Sequence, residues 1–227
     1  MPAGTFFENV HLSFKAVFVI MISWVAHVSP IATARLVGVP RQSVLQFFRF
    51  FRDIASWKLC TMPEIQFGGA GSIVQIDESV ITKRKYHRGK RVPEKWIFGM
   101  YDEDTGKGFC TYVPNRRKTT LLPIIKQHIR PLSTIWSDEW SAYRCLDNEG
   151  YIHETVNHSK TFKSQYGVCT NKVELYWKRL KQYCRQSCVL GSKLLPEHID
   201  EFMYRERHTS PKLFGVFLSH VKQRYPV

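Results

Sequence analysis

Two Asp-Glu dipeptides, Asp77-Glu78 in GSIVQIDESV and Asp138-Glu139 in LSTIWSDEWSAY, each follow a short apolar run. A further glutamate, Glu174, lies in the helical segment NKVELYWKRLKQY. An ionised aspartate at the end of a buried strand is costly unless a cation or hydrogen bonds compensate it. Two strand-end aspartates and a helix glutamate therefore predict a shared site for hard divalent ions, Mg2+ or Mn2+, bound through oxygen. A pair of ions roughly 3.5–4 Å apart would activate a water or a 3′-hydroxyl and stabilise the leaving oxygen of a phosphoryl transfer. Side chains alternate across a strand, so only one acid of each dipeptide is expected in the cluster. Asp77 and Asp138 are in phase with the buried positions, and Glu78 and Glu139 should point away. Taken singly, Asp138 also fits a helix N-cap and Glu174 an ion pair with Lys178. Asp102 and Asp104 fall in a hairpin turn, where acids are common.

The elements that must hold these acids are legible in the pattern. Residues 5 to about 58 read as helical with a break at Ser29-Pro30. A short helix over Ile31–Leu36, a turn with Gly38 and Pro40, and a second helix from about Arg41 match a helix-turn-helix, with Arg41 and Gln42 near the start of the helix that would face DNA bases. Pro- and Gly-rich residues 61–72 read as a linker. A strand over 72–76, a basic insertion, and a hairpin of strands 95–101 and 108–113 follow. Next come a helix over 119–128, a strand ending at Asp138, a short helix over 139–145, a strand near 153–156 and a helix over 171–185. Three leading strands and then alternating helices and strands imply an α/β domain, a mixed sheet covered by helices. The expected division is a helical region at 1–60, the linker at 61–72, an α/β domain at 73–208 and a tail at 209–227.

Composition narrows the partners. Thirty-three Lys and Arg against 19 Asp and Glu give a net charge of +14, which favours polyanions. The apolar stretch from Ala16 to Val28 is too short to span a bilayer, so nucleic acid is preferred to a membrane. The run Lys83, Arg84, Lys85, Tyr86, His87, Arg88, Gly89, Lys90, Arg91 fits a DNA-backbone contact or a nuclear import signal; a solvated loop is the plain alternative. Arg116, Arg117 and Lys118, just before a helix, and Lys178 and Lys181, beyond Glu174, are further candidate phosphate contacts. Six scattered cysteines read as reduced thiols; only Cys184 and Cys188 stand a helical turn apart, without a second pair to complete a metal site.

In order, the segments IDESVITKRKYHRGKR, WIFGMYDEDTGKGF, TIWSDEWSAY and TNKVELYWKRLK resemble the DDE transposase domain of the family that includes bacterial IS1595/ISXO2-type insertion elements and eukaryotic Merlin transposons. The resemblance covers most of residues 73–185, and the leader GTFFENVHLSF is also similar. It implies an RNase H-like fold, with Asp77, Asp138 and Glu174 as the catalytic and metal-binding triad. Lys181 matches a basic residue such transposases often place after the glutamate. It further implies two Mg2+ or Mn2+ ions, double-stranded DNA as substrate at element ends and target, and a homo-oligomer that brings two ends together. A eukaryotic copy would act in the nucleus and a bacterial one in the cytoplasm. Relatives commonly carry a Cys-rich, zinc-ribbon-like region upstream of the FFENVHLSF-type segment, so a truncated or decayed copy is one alternative. A DNA-binding protein without catalysis and an RNase H-like nuclease are the others.

Overall fold

Ser13 and Ser29 open the first two helices, each hydroxyl accepting a backbone N–H three residues on, from Ala16 and Ala32, at 3.2 Å. These bonds satisfy donors that a helix start leaves free. The computed structural model describes residues 6–8, 10–61, 66–82, 94–156, 169–190, 192–208 and 212–226. Helix α1 spans Phe14–Val25, α2 Pro30–Val37 and α3 Arg41–Thr61. Gly38 ends α2 at φ 72°, a left-handed turn that glycine adopts without strain, so a short helix, a glycine turn and a second helix follow one another at the expected positions.

The chain divides into two units, Met1–Thr61 with Tyr204–Val227, and Met62–Met203. In the first, Val17, Ile20, Met21 and Trp24 of α1 and Phe47, Phe51 and Ile54 of α3 bury one core with Phe217 and Val221. The last two belong to α7 (Leu213–Arg224). The segment read as a tail thus carries a helix, because its apolar residues Leu213, Phe217 and Val221 recur every four positions along one face. The division also falls earlier than position 208. Of the linker read over 61–72, residues 66–72 belong with the sheet, where Phe67 bridges Ile129 and the Gly68 amide donates to Asp102 at 3.2 Å.

The second unit is built on five strands, β1 (Ile73–Thr82), β2 (Lys95–Asp102), β3 (Lys107–Val113), β4 (Thr134–Asp138) and β5 (Ile152–Val156). Their spatial order is β3-β2-β1-β4-β5. The first three pair antiparallel, and β1–β4 and β4–β5 are parallel. Helices α4 (Lys118–His128), α5 (Asn171–Gln186) and α6 (Leu195–Arg207) accompany the sheet. This is the mixed sheet that the element order implied, in the RNase H-like arrangement that the family resemblance implied. Val74, Ile76, Phe98 and Met100 face α4 and pack with its Leu121 and Ile125. The opposite face takes Val173, Tyr176, Trp177 and Leu180 of α5, all buried.

Two local readings change. β1 does not stop near Ile76 but runs to Thr82, so Asp77 and Glu78 lie inside a strand; antiparallel pairing to β2 continues past them, as Asp77↔Gly99 and Glu78↔Phe98. The helix expected over 139–145 is instead two short 3-10 turns, Ser141–Tyr143 and Asp147–Glu149, the second closed by Gly150 at φ 87°.

Candidate active site

Alternation along β1 sends Gln75, Asp77 and Ser79 toward α5 and Val74, Ile76 and Glu78 toward α4. On its other edge β1 pairs with β4 only as far as Gln75↔Trp136, and β4 ends at Asp138. Among the described residues, no strand pairs with this edge of β1 beyond that point. Carboxylate oxygens of Asp77, Glu78 and Asp138 consequently all lie within 4.8 Å of one another. The expectation that Glu78 points away is corrected: it does occupy the opposite face, but at an open strand edge both faces reach the same acid. Glu139 is exposed.

Each acid is held by a named partner. The Trp177 indole donates to Asp77 Oδ2 at 2.9 Å. Its approach depends on the glycine opposite Asp77, since a Cβ at Gly99 would stand 2.4 Å from Trp177 Cη2. The Tyr143 hydroxyl donates to Glu78 Oε1 from the α4 side. Asp138 Oδ1 accepts the Trp140 amide at 3.0 Å, so this residue caps the following turn and still belongs to the cluster.

Helix α5 is docked on β1 by Gln75, which is fully buried. Its Oε1 accepts the Lys172 and Val173 amides at 2.9 and 3.1 Å, doing for the first turn of α5 what Thr170, which makes no side-chain cap bond, does not. Its Nε2 donates to Glu103 at 2.5 Å, which fixes which way the amide points. The strand residue two positions before Asp77 therefore sets the start of the helix that carries Glu174. Glu174 is exposed and accepts from Thr170 Oγ1 at 3.3 Å. It lines a cavity of about 380 Å3 with Asp77, Ser79, Trp177, Lys178, Lys181 and Arg185, and stands outside the closest carboxylate set.

The electrostatics follow from crowding acids in a half-buried place. Asp77 is pushed up to about 7, first by burial and then by the charges of Glu78 and Asp138, with the Trp177 bond pulling the other way. Glu78 is also pushed up to about 7, by burial and by Asp138, against the Tyr143 bond and the Arg116 charge. Burial lowers the Lys181 ammonium, partly offset by Asp77; it donates to Ser79 Oγ at 2.6 Å.

Residues 69–207 match the ISXO2-like transposase domain. The chain belongs to that family. An uncharacterized transposase-like protein of Haemophilus influenzae is 30% identical over 80 residues, which span 35% of this chain and 64% of that protein. Among solved structures, a simian T-cell lymphotropic virus intasome in complex with PP2A regulatory subunit B56 gamma is similar at 15% identity and TM-score 0.41, over 82% of this chain and 66% of that one. The catalytic core domain of BIV integrase is similar at 11% identity and TM-score 0.39, over 67% and 97%. The RNase H-like assignment of this transposase domain rests on its own strand order.

The other sequence candidates are placed as follows. Lys178 and Lys181 border the α5-side cavity with Glu174. Arg116, Arg117 and Lys118 border a second cavity of about 450 Å3 with Trp140, Ser141 and Ala142. Arg41 and Gln42 are exposed at the start of α3, in the other unit. Lys83, Arg84, Lys85, Arg88, Lys90 and Arg91 lie outside the described residues. Sequence reasoning set Glu78 aside, read Tyr143 as no more than a core or cleft wall, and missed Gln75 and Arg185. Of the two missed, Gln75 carried a signal, a polar residue in an apolar strand two positions before an acid. Among the described residues no helix is long and apolar enough to cross a membrane.

Proposed function

We propose that the protein is a DNA transposase of the ISXO2/Merlin type, cutting and joining phosphodiesters with divalent ions held by Asp77, Asp138 and Glu174. The observation that carries this reading is the meeting of the Asp77, Glu78 and Asp138 carboxylates within 4.8 Å, beside a cavity lined by Glu174 and three cations, in a domain of this family. Carboxylates crowded this closely retain protons unless a cation replaces them, and an all-oxygen donor set suits a hard ion such as Mg2+ or Mn2+. When bound, two such ions lower the pKa of the attacking hydroxyl or water and neutralise charge gathering on the phosphate.

The remaining work falls to the chain. Asp77 and Asp138 present oxygens from the sheet and Glu174 from the helix. Trp177 and the Glu78 backbone amide restrain the Asp77 carboxylate by hydrogen bonds. Lys178, Lys181 and Arg185 attract and orient the DNA backbone. In cleavage, a water oxygen forms a bond to phosphorus as the P–O3′ bond breaks. In joining, a freed 3′-hydroxyl takes the water's place, the target's P–O3′ bond breaks, and the departing oxygen takes up a proton. Arg41 and Gln42 on α3 would read base edges at the element ends, and pairing two ends calls for at least two copies of the chain.

The test is cleavage and joining of labelled DNA carrying the terminal repeats, with Mg2+ or Mn2+, by wild type and by Asp77→Asn, Asp138→Asn and Glu174→Gln. Products from wild type that vanish in all three variants are expected. DNA binding without product by folded wild type, given both metals and authentic ends, would sink the enzyme reading in favour of a DNA-binding protein.

A further inference from the structure

Arg116 precedes α4 on the loop from β3, and its guanidinium lies between two indoles, 4.1 Å from the ring centroids of both Trp96 and Trp140. Trp140 is itself fixed by donating Nε1–H to the Arg116 carbonyl at 3.0 Å. The Asn115 side-chain oxygen Oδ1 ties the same loop to α4, accepting from the Arg117 amide at 3.0 Å and Thr120 Oγ1 at 2.8 Å. Both indoles pack against the guanidinium. Among the described residues, none of its N–H groups is hydrogen-bonded. An arginine immobilised in this way has lost its rotamer freedom in advance and presents a planar fork suited to two phosphate oxygens.

The cavity that this arginine borders also carries Arg117 and Lys118. It lies on the α4 side of the sheet, where Trp140 leads into the turn whose Tyr143 holds Glu78. The cavity with Lys178, Lys181 and Arg185 lies on the α5 side, against Asp77. Two cationic cavities, with three basic residues each, thus flank one carboxylate cluster from opposite faces of the sheet. Among the described residues no strand pairs with β1 past Gln75 on this edge, and acids from both faces, Asp77 and Glu78, meet there with Asp138. Two polyanionic strands brought to one centre repel each other, and separate cationic seats on opposite faces reduce that repulsion.

Building on the transposase reading, we propose that the two cavities hold two different nucleic-acid segments. The α5-side cavity seats the DNA whose phosphodiester is cut. The α4-side cavity seats the phosphate backbone of a second segment, the target, with Arg116 as its fixed fork.

Photocrosslinking on the full chain tests this. A photoreactive side chain is placed at Ser141, on the α4-side cavity, or at Arg185, on the α5-side cavity. End duplex and target duplex are supplied together with different labels. The expected result is that Arg185 captures the end duplex and Ser141 the target. Arg116→Lys keeps the charge but loses the fork, and should cut capture of the target at Ser141 about tenfold while capture of the end at Arg185 changes less than twofold. Arg117→Gln/Lys118→Gln alters two exposed side chains without threatening the fold, and should lower the salt dependence of target binding by about two phosphate contacts. Capture of one and the same duplex from both positions overturns the proposal, as does capture at Arg185 with none at Ser141. Capture at neither position removes the DNA reading of this domain along with the proposal, so the two failures are distinguishable.

Discussion

Glu78→Gln is expected to stabilise the metal-free protein at pH 8 and to leave it nearly unchanged at pH 4.5. Burial and the Asp138 charge raise the Glu78 carboxyl from 4.5 to about 7. The folded state therefore holds a proton that the unfolded chain releases between those values. Stability from this group is fully present below about pH 4.5 and is lost as pH rises through 7. At about 1.4 kcal/mol per pH unit, the loss is roughly 3 kcal/mol. The Gln side chain cannot ionise, has the same shape and still accepts the Tyr143 hydroxyl bond, so it should recover about 1–3 kcal/mol of this at pH 8. Removing the Glu78 charge also lets Asp77 ionise at a lower pH, since that charge is second only to burial in raising it. Urea unfolding in chelator at pH 4.5, 6 and 8, for both proteins, measures the effect. Mn2+ added at pH 8 should restore wild type more than the variant, because the ion takes the place of the protons. Parallel pH profiles for the two proteins would refute the reasoning, since they would mean that Glu78 is ionised alike in folded and unfolded chains.

Gln75→Leu should free the Lys172 and Val173 amides, which hydrogen exchange would register as faster exchange at the start of α5, and should raise the Mn2+ concentration needed for DNA cleavage. The single change Gln75→Glu sets two carboxylates against each other at the Glu103 contact, and adding Glu103→Gln should restore the protected amides by reversing the pair. Gly99→Ala puts a methyl group into Trp177, and overpacking of this kind typically costs about 1–3 kcal/mol in thermal or urea unfolding. Because the indole would withdraw from Asp77, the same variant should move the Asp77 carboxyl further upward, as followed by NMR titration of the metal-free protein.

Most of the frame was legible because it depends on local chemistry. Ser13, Ser29 and Gly38 mark helix ends through bonds and angles available within a few residues. The apolar runs ending near Asp77 and Asp138 mark strands whose parallel pairing sets the two aspartates at one edge. The apolar face of α5 at Val173, Tyr176, Trp177 and Leu180 is a matter of helical spacing, and it is buried. Less was legible where long-range pairing overrides a local rule. β1 outlasts its apolar run because β2 keeps supplying hydrogen-bond partners through Val80. The alternation rule correctly put Glu78 on the opposite face from Asp77, yet failed to exclude it from the cluster, because β4 pairs with β1 only through Gln75 and ends at Asp138, where acids from both faces meet.

What the sequence determined by itself was the order of elements, the acids and cations available, and the family to which the ordered segments belong. Tertiary structure decided which of those groups meet: Glu78 with Asp77 and Asp138, Gln75 with the first turn of α5, and Arg116 with two tryptophans from separate segments. Each of these contacts joins residues from different elements, and its geometry depends on where a strand ends or a glycine leaves room. Local periodicity carries no record of either.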